Sequence, residues 1–187
     1  MNLILPRTFI EKAGISHPLF FLAGPVLGGG NWQERCCMEI SRRLHHFSVV
    51  VPCRWKPGDK LSCYRVSGTE SRFTRQTAWE YHYLSLATEL SKEHQGCIIF
   101  WLPAESKEYP RKDGQPYARD TYGELGRWGS IAAVTKSHLV VGAEPDFPGL
   151  SVIRENLRLE RGLYIDSFPI HSNLEETVNA AVQWVMT

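Results

Sequence analysis

Short apolar runs alternate with amphipathic stretches along most of the chain. Pro18-Leu-Phe-Phe-Leu-Ala-Gly24 is continuously apolar, too short for a typical helix, and ends in Gly-Pro, so it predicts a buried strand. Trp32, Cys36, Ile40 and Leu44 then recur every four residues and mark one apolar helical face, with Asn31 as a favoured N-cap. Residues 47–52 predict a second strand. Residues 74–91 predict a helix with Trp79, Tyr83, Leu86 and Leu90 on one side, and 96–101 a third strand. Leu125, Trp128, Ala132 and Thr135 share a face of the next helix, and 138–142 predict a fourth strand. A fifth strand is expected around 163–165, while 151–160 reads either as loop or as a short helix. Ser172-x-x-Glu175 has the form of a capping box ahead of a last helix carrying Leu174, Val178, Ala181 and Val185. Two long polar segments, 53–72 and 102–119, interrupt this alternation, and loops of that length are often functional.

Strand and helix thus alternate about five times, which predicts an α/β fold. The architecture expected is a flavodoxin-like or Rossmann-like three-layer sandwich around a mainly parallel five-stranded sheet of order 2-1-3-4-5. Residues 1–16, interrupted by Pro6 and Gly14, read as an N-terminal arm, and 17–187 as a single domain. Ligands of such sheets bind beyond the carboxyl ends of the strands, where the strand order reverses. That point lies between the first and third strands, followed by Gly24 to Trp32 and by the 102–124 segment.

Composition narrows the chemistry. The 187 residues carry 21 basic and 20 acidic side chains, a net charge of +1, with no run of either sign that would mark a nucleic-acid surface. No stretch approaches the length of a membrane span, and the first residues lack the basic leader of a secretory signal. Five cysteines form no C-x-x-C pair, the pattern of a reduced, cytoplasmic protein. The seven histidines show no ligand spacing, so no structural metal is expected.

Two stretches carry candidate chemistry. Gly28-Gly29-Gly30 before a helix start lets backbone N–H groups approach a ligand, but neither a dinucleotide fingerprint nor a Walker lysine is present. Glu124 lies in Thr121-Tyr-Gly-Glu124, which fits a capping box, and it also has the makings of a nucleophile. Gly123 and Gly126 flank it, a helix start near it would favour its ionised form, and Asp120 is close enough to share a site. Two carboxyls, one attacking and one donating a proton, are the usual equipment for cleaving a bond at an anomeric carbon. Asp120 is equally fitted to be an N-cap, and Arg119 either to bind a phosphate or to pair with Asp120. Trp32 and Trp55 are candidates to stack on a base, Trp32 the stronger. Trp79 falls on an apolar helical face and Glu80 reads as a solvated surface residue.

Phe21-Leu-Ala-Gly-Pro25, Gly30-Asn31-Trp32-Gln33, Trp79-Glu80, Gly96-Cys-Ile-Ile-Phe-Trp101 and Tyr117-Ala-Arg-Asp-Thr-Tyr-Gly-Glu-Leu-Gly126 occur in the order seen in nucleoside 2-deoxyribosyltransferase-like proteins. Over roughly 18–136 the chain resembles that family. The resemblance implies a flavodoxin-like fold and Glu124 as a nucleophile that attacks C1′ of a (deoxy)nucleoside or nucleotide and expels the base. The sugar then passes to a second nucleobase, or to water as in related nucleotide N-hydrolases; a nucleotide-sensing module without catalysis is the alternative. The site residues expected with it are Asp120 as a second catalytic carboxyl, and Gly24, Pro25, Gly30, Asn31, Trp32, Trp79, Arg119 and Thr121 as a binding surface. No cofactor or metal is implied. The partners expected are a small-molecule nucleoside or nucleotide and a free base, with no nucleic-acid polymer and no membrane, in a homo-oligomer whose subunits help close the pocket. The chain departs from the family after the third strand, where Trp101-Leu-Pro-Ala-Glu105 lacks the family's aspartate.

Overall fold

The computed structural model describes residues 1–53, 65–67, 73–160 and 168–187. Its centre is a parallel sheet of seven strands: β1 (Asn2–Ile4), β2 (Leu19–Ala23), β3 (Ser48–Val50), β4 (Arg65–Ser67), β5 (Gly96–Leu102), β6 (Leu139–Ala143) and β7 (Ile170–His171). Their spatial order is β4-β1-β3-β2-β5-β6-β7, and every pairing is parallel. The predicted order 2-1-3-4-5 is contained in it as β3-β2-β5-β6-β7. The predicted fifth strand at 163–165 lies outside the described residues, and the edge position is held by β7.

Alternate strand residues face opposite helical layers, which is why β2 and β5 are buried at every position. Phe21, Ala23, Ile98, Phe100 and Val141 pack under α2 (Gln76–Ser91), α3 (Arg119–Thr135) and α4 (Leu150–Glu160). Phe20, Leu22, Ile99 and Val140 pack under α1 (Trp32–Ser41) and α5 (Leu174–Met186). The 151–160 stretch, open between loop and helix in the sequence, is α4. No described helix is long and apolar enough to cross a membrane.

Three local expectations are corrected. The N-terminal arm is not merely a lead-in: Leu3 and Ile4, fully buried, form β1 between β3 and β4 before Pro6 ends the strand. The loop expected over 53–72 contains β4, while 54–64 and 68–72, including Trp55, lie outside the described residues. The last helix is capped by Asn173 rather than Ser172, because Asn173 has extended dihedrals and its side chain accepts the Glu176 N–H at 2.8 Å.

Candidate active site

Beyond the carboxyl ends of β2 and β5 lies a cavity of about 360 Å³. Gly24 and Pro25 follow β2 along its wall, Gln76, Thr77 and Glu80 come from the start of α2, and Asp120, Thr121 and Glu124 from the start of α3. This is the switch point, since β2 has β3 on one side and β5 on the other.

The turn after β2 demands glycine. Gly24 has φ of +145°, and a Cβ there would come within 2.2 Å of the Trp101 carbonyl oxygen. Trp32 braces this turn from inside the protein. Its ring is 2% exposed and its Nε1–H donates to the Pro25 carbonyl at 2.9 Å. A ring so enclosed, and absent from the cavity wall, has no face to offer a base, so the stacking role expected of Trp32 is corrected to a supporting one. Gly28, at φ +84°, allows the loop of residues 103–118 to lie close: a Cβ would be 3.0 Å from the Tyr117 ring. The two loops are tied by the Ser106 N–H donating to the Gly28 carbonyl at 2.7 Å. Gly30, at φ +70°, and the exposed Asn31 belong to the bend into α1 and do not line the cavity. Asn31 makes no side-chain capping bond.

Helix α3 starts earlier than the capping-box reading requires. Its first residue is Arg119, preceded by the buried Ala118 in a left-handed conformation (φ 57°). Thr121 is therefore inside the first turn and buried, and Glu124 falls a turn deeper, at the sixth helical position. The benefit a helix terminus gives to a negative charge fades within the first turn. Burial pushes the Glu124 carboxyl up to about 7, and the charges of Glu80 and Asp120 push in the same direction. The expectation that the helix start keeps Glu124 ionised is thus reversed: enclosure among carboxyls governs it.

Glu80 is the residue that sequence reasoning passed over. It is half-buried in the cavity wall and accepts a hydrogen bond from Gln76 Nε2 at 2.8 Å. Burial raises its pKa and the Asp120 charge adds to this, against the opposing Gln76 hydrogen bond. The Gln76–Glu80 spacing, i to i+4 on a helix, was a visible signal of the pair but not of its burial. Asp120 also reaches the cavity, yet its side chain is 70% exposed and takes a 3.2 Å contact from Arg119 Nε. Arg119 turns outward, its Nη1 donating to Gln115 Oε1 at 2.6 Å, and lines a shallower crevice between α2 and α3. The cation in the wall of the cavity beyond β2 and β5 is instead Arg111, for which the proline-rich loop gave no sequence signal, while the crevice lined by Arg119 and Arg127 shares Glu80, Asp120 and Glu124 with it.

Trp79 also stands apart from the cavity. It is fully buried, its Nε1–H donating to the Thr8 carbonyl at 2.9 Å, so it hooks α2 to the N-terminal arm. Of the expected site residues, Gly24, Pro25, Asp120, Thr121 and Glu124 converge on one cavity, while Gly30, Asn31, Trp32, Trp79 and Arg119 do not line it. The chain matches no protein-family model and no curated protein.

Proposed function

We propose that the protein cleaves the N-glycosidic bond of a (deoxy)nucleoside or nucleotide, Glu124 attacking C1′, and transfers the sugar to another nucleobase. The observation that carries this reading is the pairing of two half-buried carboxyls, Glu124 and Glu80, in one cavity at the switch point of the sheet. Cleavage at an anomeric carbon with retention uses such a pair, one group as nucleophile and the other as proton donor. The resemblance of 18–136 to nucleoside 2-deoxyribosyltransferase-like proteins assigns the nucleophile to the same Glu124.

Ionised Glu124 forms the bond to C1′ as the C1′–N bond breaks and its electron pair leaves with the base. Burial raises both carboxyls, so the reactive form is the one in which the proton they compete for rests on Glu80, which is less exposed than Asp120 and gives that proton to the base. Asp120 then contributes negative charge as the sugar becomes cationic. In the second step Glu80 takes the N–H proton of the incoming base as its nitrogen attacks C1′ and the Glu124 carboxylate departs, so two inversions give net retention and Glu80 is reset. The reading extends to a homo-oligomer whose neighbouring subunits complete the pocket, as the resemblance implies.

The test is incubation with nucleosides, nucleotides and NAD, with and without an acceptor base, followed by chromatography of released and exchanged bases. Base exchange is expected, and Glu124→Gln is expected to abolish both turnover and trapping of labelled sugar on the protein. Turnover unchanged in that variant would remove the mechanism. Release of base without exchange would assign water as the acceptor.

A further inference from the structure

Arg111 occupies an unusual position for a loop arginine. Its side chain is 8% exposed, and it is the one cationic side chain among the described residues lining the cavity beyond β2 and β5; Arg119 and Arg127 line the adjoining crevice between α2 and α3, which shares Glu80, Asp120 and Glu124. Its Nε and Nη2 donate to Asp113 Oδ1 at 2.6 Å and Oδ2 at 2.9 Å, and its Nη1 donates to the Pro116 carbonyl at 3.1 Å. A guanidinium carries five N–H donors, so these bonds leave two, one on each terminal nitrogen. The backbone is fixed as well: Arg111 N–H donates to Glu105 Oε1 at 2.8 Å. The group is therefore oriented before any ligand arrives, and an anion binding to it does not have to order it.

We propose that Arg111 is the specificity-determining residue of this cavity, selecting a substrate that carries a phosphate ester on its sugar. The proposal rests on the glycosidic-cleavage reading for the identity of the sugar, but its physical basis is the polarity of the cavity. Carboxyls at the starts of α2 and α3 suit a centre that becomes cationic as the base departs. An anionic substituent elsewhere on the same molecule would be repelled by those carboxyls and needs a donor of opposite charge. Arg111 supplies it on a separate element, the loop after β5, and guanidinium forks match phosphate geometry. Asp113 occupies one edge of the fork and holds it in place. Arg119, the arginine first expected to meet a phosphate, is spent on Gln115 and Asp120 and faces the adjoining crevice on the far side of the same carboxyls.

The rival role is a strut, in which Arg111 only pins the loop through Asp113 and Pro116. The two are separated by comparing a deoxynucleoside with its 5′-monophosphate in the wild-type protein, Arg111→Gln and Arg111→Lys. The wild type is expected to prefer the monophosphate. In Arg111→Gln, the ratio of kcat/KM for monophosphate over nucleoside is expected to fall by about 10- to 100-fold, mainly through KM. Arg111→Lys, which keeps the charge without the fork, should fall between. An unchanged ratio, with both substrates impaired alike, would make Arg111 a strut and overturn the proposal, as would a wild type without preference.

Calorimetric titration of Glu124→Gln and of Glu124→Gln with Arg111→Gln, using the same monophosphate, reads binding without turnover. Weaker binding in the double variant by the same factor supports Arg111 even where no substrate is cleaved, in which case the cleavage reading fails alone. Equal binding overturns the role of Arg111 whether or not cleavage occurs. If thermal melting shows Arg111→Gln unfolded, Arg111→Lys is read in both assays by the same criteria.

Discussion

A carboxyl one turn further along a helix than its first residues loses most of the help that the terminus gives to a negative charge. Glu124 is such a group, and its neighbours decide its chemistry. With its titration raised to about 7, an attacking role requires activity to rise as pH approaches neutrality, because only the ionised form is nucleophilic. On the proposed mechanism Glu80 works in the opposite sense, donating a proton from its protonated form. Glu80→Gln is expected to slow base release by about 10²- to 10⁴-fold. The loss should shrink for nucleosides whose base departs readily without protonation. Steady-state rates across a series of leaving bases check this, and an equal loss for every base would point to a structural role. The sequence drew attention to Glu124, which lies in the cavity wall, because two glycines, a possible cap and a family-like motif surround it. It hid Glu80, because a glutamate on an amphipathic helix looks the same whether solvent or a cavity lies beside it. Asp120 drew attention for its closeness in sequence, yet it lies on the exposed rim.

At the scale of elements, α2 carries Glu80 and is held by its neighbour in sequence. Trp79 Nε1 and the Tyr83 hydroxyl both reach the Thr8 carbonyl, at 2.9 and 3.4 Å, and the Ile10 N–H donates back to the Tyr83 hydroxyl at 3.1 Å. Trp79→Phe removes the shorter bond and part of a fully buried ring. It is expected to cost about 2–3 kcal/mol, with reduced affinity for the cavity's ligand as α2 loosens. Denaturant unfolding measures the first effect and ligand titration the second. The tryptophans also show where sequence reading loses resolution. Trp32 and Trp79 belong to stretches that carry the family resemblance, and a ring on such a stretch is as fitted to brace a site as to line it. The long apolar strands and amphipathic helices were legible because burial on both faces, or on one, writes a periodic pattern. β1 and β4 were not, because no run of apolar residues like that around β3 marks them, and their place in the sheet depends on pairing with distant strands.

For the molecule as a whole, a carboxyl held at about 7 makes folding depend on pH. Below the ordinary glutamate value of 4.5 the group is protonated in folded and unfolded chains alike. Between there and about 7 the unfolded chain has lost its proton while the folded one keeps it. Stability therefore falls as pH rises through that window, and above it the full cost of ionising Glu124 remains. That cost is roughly 3–4 kcal/mol at 1.36 kcal/mol per pKa unit. Glu124→Gln is expected to melt several degrees higher than the wild type at pH 8, at about 2–4 °C per kcal/mol for a chain of this size, and to show little gain at pH 4. Thermal melts at the two pH values check it. A residue that costs stability in its working form is the trade expected of a site rather than of a structural cap.

The bond from Ser106 N–H to the Gly28 carbonyl has its own consequence for how a ligand is met. It joins the loop after β2 to the loop after β5, so these two sides of the cavity are tied to each other as well as to the sheet. A change in either loop is therefore felt at the other through main-chain atoms. A ligand that touches both walls spends that much less of its affinity on bringing them together.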